Sequence, residues 1–141
     1  MFNEIGIIEQ LARARFEAVL PDGLLVSHFS VLNHMVRLGD DKSLTSLAFA
    51  FQVSKGAMTN TVQRLERRKL VDVRPDPLDG RGKRVFLTEA GRQARDEAIA
   101  RLGPALCDLE QALGAEVFAE LLPRLQRVRT ALDEARLLRR T

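Results

Sequence analysis

Val53-Ser54-Lys55-Gly56-Ala57-Met58-Thr59-Asn60-Thr61-Val62-Gln63-Arg64-Leu65-Glu66-Arg67-Arg68 is the stretch whose reading decides the fold. Ser54 stands where a helix N-cap is needed, because its hydroxyl can accept a hydrogen bond from a backbone N–H left without a partner in the first turn. Behind it, Met58, Val62 and Leu65 fall at i, i+4 and i+7 and make one apolar stripe for packing. At about 100° per residue, the opposite side carries Gly56, Asn60, Gln63 and Arg67, with Thr59 and Arg64 on its flanks. Amides, hydroxyls and guanidinium groups, with Glu66 set to one side, are the groups that pair with base edges and phosphates in a DNA major groove. An amphipathic helix with a merely solvated polar face has the same pattern, and the sequence around it separates the two readings.

Outward from this stretch, charge is the first discriminator. Residues 54–87 hold nine basic and four acidic side chains, a net of +5, whereas the whole chain of 141 residues carries only +3. Concentrated positive potential suits a surface that neutralises phosphates by displacing counterions, so a polyanion is the favoured partner. A membrane surface is not, because the apolar residues of this segment are taken up by the packing stripe. The length allows one domain, or one domain with an extension. No uninterrupted apolar run reaches the ~18 residues of a membrane span. Met1-Phe2-Asn3-Glu4-Ile5 lacks the basic-then-apolar order of an export signal, and the single cysteine cannot form an internal disulfide, so a cytoplasmic location is expected.

Before the decisive stretch, Ile5, Ile8, Ala12, Phe16 and Val19 follow a three-and-four spacing that predicts a first helix over 2–19, stopped by Pro21-Asp22-Gly23. A second helix is expected from Ser27, a suitable cap, through Phe29, Val31, Leu32, Met35, Val36 and Leu38 to Gly39. Its apolar residues cover more than one face, which implies burial between neighbours. Ser43 then opens a short third helix with Leu44, Leu47, Ala48 and Phe51 inward, and Gln52-Val53 leads tightly into Ser54. Two short helices so joined, the second basic and polar outside, match a helix-turn-helix.

After the stretch, Leu70-Val71-Asp72-Val73-Arg74 alternates, Pro75 to Lys83 is dense in Pro, Gly and Asp, and Arg84-Val85-Phe86-Leu87 is a second strand. The segment predicts a β-hairpin with Asp79-Gly80-Arg81-Gly82-Lys83 at its tip, which makes it a wing behind the recognition helix. Two glycines allow a sharp bend and remove bulk beside Arg81, which becomes the residue for minor-groove insertion. Asp79 is assigned to a local ion pair or turn hydrogen bond that orients Arg81.

Thr88-Glu89-Ala90-Gly91 starts a long helix with an apolar line from Ala90 to Leu113, for which Gly103-Pro104 predicts a kink or break. Gly114 divides it from a last helix carrying Val117, Phe118, Leu121, Leu122, Leu125, Val128 and Leu132, with Pro123 as a local distortion. Their apolar surface exceeds what a small winged domain can cover, so burial against a second copy of the chain is expected. A twofold pair of recognition helices reads a palindrome with half-sites about one helical turn apart.

The fold class read from these elements is mainly α with a small β-hairpin wing, a winged helix-turn-helix with N- and C-terminal dimerisation helices. The run Val53-Ser54-Lys55-Gly56-Ala57-Met58-Thr59, the segment Leu65-Glu66-Arg67-Arg68-Lys69-Leu70-Val71, and Asp76-Pro77-Leu78-Asp79-Gly80-Arg81-Gly82-Lys83 followed by Leu87-Thr88-Glu89-Ala90-Gly91 together resemble the MarR family of bacterial transcription regulators. The resemblance spans essentially the whole chain. It implies a homodimer on a palindromic double-stranded operator, usually a repressor, released by a small phenolic or other aromatic effector or by cysteine oxidation. Residues 27–87 would read DNA, and residues 1–20 with 88–141 would dimerise. The DNA-binding set is Ser54, Lys55, Gly56, Thr59, Asn60, Gln63, Arg64, Arg67, Arg74, Arg81 and Lys83, with Asp79 orienting the wing. One departure is Lys69, where the family commonly has glycine; a left-handed backbone there would strain a lysine.

The resemblance also places an effector pocket between the dimer helices and the DNA-binding lobe, with Arg13, Phe16, His28, Phe29, Asn33 and His34 as candidates. The plainer reading makes His28 a solvated helix-start residue and His34 a satisfied buried imidazole. Cys107 reads as a small core residue of the long helix and not a sensor. No nucleophile, base and orienting acid come together, His28 and His34 are off the spacing that groups metal ligands on a helix, and Gly80-Arg81-Gly82 is no phosphate loop, so neither catalysis, metal nor cofactor is expected. The competing reading is a winged-helix module turned to protein–protein assembly. It would have no reason to hold Lys55, Arg64, Arg67, Arg81 and Lys83.

Overall fold

In the computed structural model, which describes residues 1–138, the chain forms six α-helices and a three-stranded sheet: α1 (Phe2–Val19), α2 (Val26–Leu38), β1 (Lys42–Ser43), α3 (Leu44–Phe51), α4 (Lys55–Arg67), β2 (Val71–Asp76), β3 (Asp79–Leu87), α5 (Glu89–Leu113) and α6 (Ala115–Leu138). A 3-10 turn over Pro21–Gly23 separates the first two helices. Two compact units are present, one from Met1 to Leu102 and one from Gly103 onward. No helix among the described residues is long and apolar enough to cross a membrane.

The core of the first unit is the sum of the predicted apolar stripes. Val31, Leu32 and Met35 of α2, Leu44, Leu47 and Ala48 of α3, and Met58, Val62 and Leu65 of α4 are buried together with Val71, Val85 and Leu87 of the sheet and Ala98 and Leu102 of α5. Helix α4 thus has its packing side fixed, and its polar side is turned to solvent by the 3.6-residue period alone.

Caps set the helix starts. Ser43 and Ser54 accept hydrogen bonds from the N–H groups of Ser46 (3.0 Å) and Ala57 (3.1 Å), as the sequence implied. Ser27 does not cap α2. The N-cap is Leu25, and the orphan N–H there is satisfied by the ring of His28, whose Nδ1 accepts from Leu25 N at 3.2 Å. A polar group three residues into the helix reaching back to the N-cap is half of a capping box, here with imidazole in place of a carboxylate. Glu17 of α1 adds a bond from Val26 N to its Oε1 at 3.2 Å.

The sheet order is β1-β3-β2, all antiparallel. The sequence reading missed β1, a two-residue strand pairing Lys42 with Val85 and Ser43 with Arg84. The hairpin also differs from expectation. Its ladder continues to Asp76↔Asp79, so Pro77 and Leu78 form the tip, and Asp79 to Lys83 belong to β3.

The junction of wing and long helix explains the Leu-Thr-x-x-Gly run. Lys69 takes the left-handed conformation anticipated for it, with φ of 59°. Its carbonyl accepts the Thr88 hydroxyl at 2.8 Å, and the same hydroxyl accepts the Gly91 N–H at 3.0 Å, capping α5. Gly91 is required by space: a Cβ there would stand 2.1 Å from the Leu70 carbonyl oxygen.

Helix α5 passes through Gly103-Pro104 without the predicted break, with Pro104 inside the helix. Gly103 is not among the left-handed residues, whereas Gly114, with φ of 88°, turns the chain into α6. A single proline removes one backbone hydrogen bond, which good helix formers on both sides tolerate. In the second unit none of the α6 residues whose burial is described is buried, and Val117, Phe118, Leu121, Leu122, Leu125 and Leu132 are exposed in the single chain. Helix α1 likewise exposes Phe2, Ile5, Ile7, Ile8 and Leu11, while Phe16 and Val19 pack against the core of the first unit. Cys107, expected in the core, is exposed in the single chain.

Candidate nucleic-acid interface

The turn between α3 and α4 is closed by Gln52 in the left-handed region, with φ of 55°, and by the Val53 N–H on the Ala48 carbonyl at 3.1 Å. This aims the first turn of α4 outward. Ser54, Lys55, Gly56, Asn60, Gln63, Arg64 and Arg67 are exposed and Thr59 is half-buried, so the whole polar side predicted from the sequence faces solvent. The Thr59 hydroxyl donates to the Lys55 carbonyl at 2.7 Å, which leaves its lone pairs to accept from outside.

The wing is shaped by an irregularity in its ladder. Pro75 pairs with Lys83 and Asp76 with Asp79, so Gly80, Arg81 and Gly82 are extra residues on β3. The Arg81 N–H donates to Asp79 Oδ1 at 3.0 Å. Asp79 therefore orients Arg81 through the backbone turn. Neither flanking glycine takes a left-handed dihedral. At Gly82 a Cβ would stand 3.0 Å from Asp76 Cβ and Asp79 Oδ2, so a side chain there would press on both aspartates.

Helix and wing converge. A concavity of about 440 Å³ is lined by Lys55 and Thr59 from α4, Arg81, Gly82 and Lys83 from β3, Asp76 and Asp79 from the hairpin, and Ser43, Leu44 and Thr45 from the start of α3. Four of the predicted DNA-binding residues meet around it, and Ser43 and Thr45 were not foreseen, although the N-cap reading of Ser43 located that helix start. Arg74 lies elsewhere. It is exposed on β2, 3.5 Å from the Asp72 carboxylate and 4.7 Å from the centre of the Phe86 ring. Sequence reasoning also passed over Arg84, which bonds Asp41 Oδ1 at 2.5 Å and reaches Asp76 Oδ2 at 3.6 Å. The bond holds the Asp41 carboxyl below its ordinary range and the guanidinium above its own. Arg84 thus braces the wing against the loop after α2.

The six effector candidates do not line that concavity. Arg13 is exposed and ion-paired with Glu9 one turn earlier. Asn33 Oδ1 is taken by Arg95, whose Nε and Nη2 donate at 3.1 and 3.0 Å. Phe16 and Phe29 are half-buried against the core. His34 is half-buried with its ring 5.3 Å from that of Phe51. His28, read as solvated, is buried, because its ring turns back to cap α2. Burial, followed by the positive charges of Arg68 and Arg64, pushes its pKa down from the usual histidine value.

With this geometry in place, the match to known proteins is specific. A family model described as MarR family matches residues 22–82, the segment that contains α2 to the wing. Over that segment the chain is similar to the MarR family. Among solved structures it is similar to the transcriptional regulator BldR from Sulfolobus solfataricus, at 26% identity over 92% of each chain with a TM-score of 0.80. It is similar to a cysteine-to-serine mutant of MarR from E. coli complexed with operator DNA, at 26% identity over 89% of this chain and 91% of that one, TM-score 0.78. A MarR-family transcriptional regulator from Rhodococcus sp. RHA1 is 26% identical over 91% and 94% of the two chains, TM-score 0.76. Similarity to the MarR family over residues 22–82 and the winged helix-turn-helix are thus common ground between sequence pattern, geometry and relatives.

Proposed function

We propose that this chain is a homodimeric, sequence-reading DNA-binding regulator of transcription, a repressor relieved by a small aromatic or phenolic effector and acting in the cytoplasm. One observation carries the DNA reading: Lys55 and Thr59 of the recognition helix and Arg81 and Lys83 of the wing surround one open concavity, while Asn60, Gln63, Arg64 and Arg67 extend the polar face beyond it. Charged groups at the rim position the protein on phosphates, and the amides between them read base edges. A relative crystallised with operator DNA has the same fold over nine-tenths of the chain. In this reading residues 27–87 engage DNA, and residues 1–20 with 88–141 dimerise through the apolar faces exposed on α1 and on α6. The effector part rests on the resemblance to that family.

Selecting duplexes from a random pool with the full-length protein, then measuring affinity over a salt series, tests the proposal. A palindromic consensus and a steep fall of affinity with salt are expected, with a dimer in sedimentation. Failure to enrich any sequence would overturn it and favour a protein-assembly module instead. Addition of phenolic acids to the bound complex tests effector release separately.

A further inference from the structure

Leu78 is 94% exposed, more than any other large apolar side chain among the described residues. It stands at the wing tip, since the ladder ends at Asp76↔Asp79 and leaves Pro77 and Leu78 as the turn. The tip has no donor to offer a phosphate. Proline lacks an N–H, and the Leu78 N–H is already given to Asp76 Oδ1 at 3.0 Å. Both acids at the base of the turn have partners: Asp76 is 3.6 Å from Arg84, and Asp79 accepts from the Arg81 N–H. Two side-chain-to-backbone bonds therefore stiffen a turn whose apex is wholly apolar, with Arg81 and Lys83 close behind it. A stiff apex loses little entropy when it is seated.

Resting on the DNA-reading function above, we propose that Leu78 is an apolar wedge that seats in the minor groove beside Arg81, so that each wing reads the groove by shape as well as by charge. Leucine is among the side chains that architectural proteins place in this groove. The two residues have opposite signatures. Burial of Leu78 releases no counterions and contributes equally at all salt concentrations, whereas the contribution of Arg81 fades as salt rises.

The test uses the full-length protein on duplexes that it has itself selected from a random pool. Leu78→Ser should leave the thermal midpoint unchanged and weaken binding about five-fold with the same slope of log affinity against log salt; Arg81→Ala should make that slope shallower by about 0.9. Replacing A·T pairs under the wing by inosine·C keeps the minor-groove face of A·T and should preserve the Leu78→Ser effect. G·C pairs place an amino group on the groove floor and should abolish it. Equal affinity of Leu78→Ser and a parent that binds its duplex overturns the wedge alone, as does a loss that persists on G·C. A parent that selects and binds no duplex overturns the regulator reading and the wedge with it.

Discussion

Asp79 Oδ1 accepts the backbone N–H of Arg81 at 3.0 Å, so the acid two residues before the arginine shapes the backbone that carries it. Removing the acceptor should therefore act on Arg81 without touching its charge. Asp79→Ala is expected to weaken operator binding about five- to ten-fold, on the order of 1 kcal/mol, the size of one net hydrogen bond. Asp79→Asn keeps an oxygen in the same place and should bind within two-fold of the parent, as measured by fluorescence anisotropy. Equal losses in both variants would mean that the charge, and not the turn, is what matters.

Lys69 joins recognition helix to wing with φ of 59°, and its carbonyl is held by the Thr88 hydroxyl. A non-glycine residue in that region costs ~1–2 kcal/mol, part of which is offset because glycine loses more freedom on folding. Lys69→Gly should thus stabilise the protein by about 0.5–1 kcal/mol. Chemical denaturation would show a higher midpoint at an unchanged m-value. An unchanged or lowered midpoint would show that the lysine side chain contributes something that outweighs the strain.

What the sequence disclosed and what it hid divide along range. Ser43 and Ser54 were legible as caps because the bond each makes is three residues away. The stripe of Met58, Val62 and Leu65 was legible because helical period alone places it. The brace from Arg84 to Asp41 spans 43 residues and leaves no local pattern. Strand β1 is two residues long and exists only because β3 runs beside it. The hairpin tip was misplaced for a different reason. Asp, Pro and Gly between 75 and 83 look like a long turn, but the ladder continues to Asp76↔Asp79, with Pro77-Leu78 as the tip and Gly80, Arg81 and Gly82 as a bulge on β3.

His28 predicts a pH dependence whose sign follows from its surroundings. The ring is buried and accepts the Leu25 N–H, and Arg68 just past the end of α4 and Arg64 within it act on it with positive charge, opposed by Glu17 of α1. Its pKa in the folded state is therefore below the usual 6.5, while in the unfolded chain it is near that value. Folding then keeps the neutral ring, so the stabilisation is complete above the unfolded pKa and is lost as pH falls through the folded one. His28→Gln can still accept the same N–H from the third helical position without titrating. The thermal midpoint of the parent should fall relative to that of His28→Gln as pH drops from 7 to 5. His34, whose pKa is also lowered by burial, titrates in both proteins and cancels from the comparison. A constant difference between the two curves would remove His28 as the cause.

Gly56 separates what the fold needs from what the interface needs. It lies in the first turn of α4, where glycine costs ~1 kcal/mol relative to alanine. Nothing inside the protein requires it, since a Cβ there would meet only Ser54 Oγ at 4.0 Å. The space is open on the face that carries Lys55, Asn60 and Gln63, where a bare Cα lets the backbone approach a duplex closely. Gly56→Ala should raise stability by about 0.5–1 kcal/mol and at the same time weaken operator binding, with the free-protein denaturation midpoint and the affinity moving in opposite directions. If alanine stabilised the protein and bound DNA as tightly as glycine does, the close approach of α4 to the duplex at this turn would be ruled out.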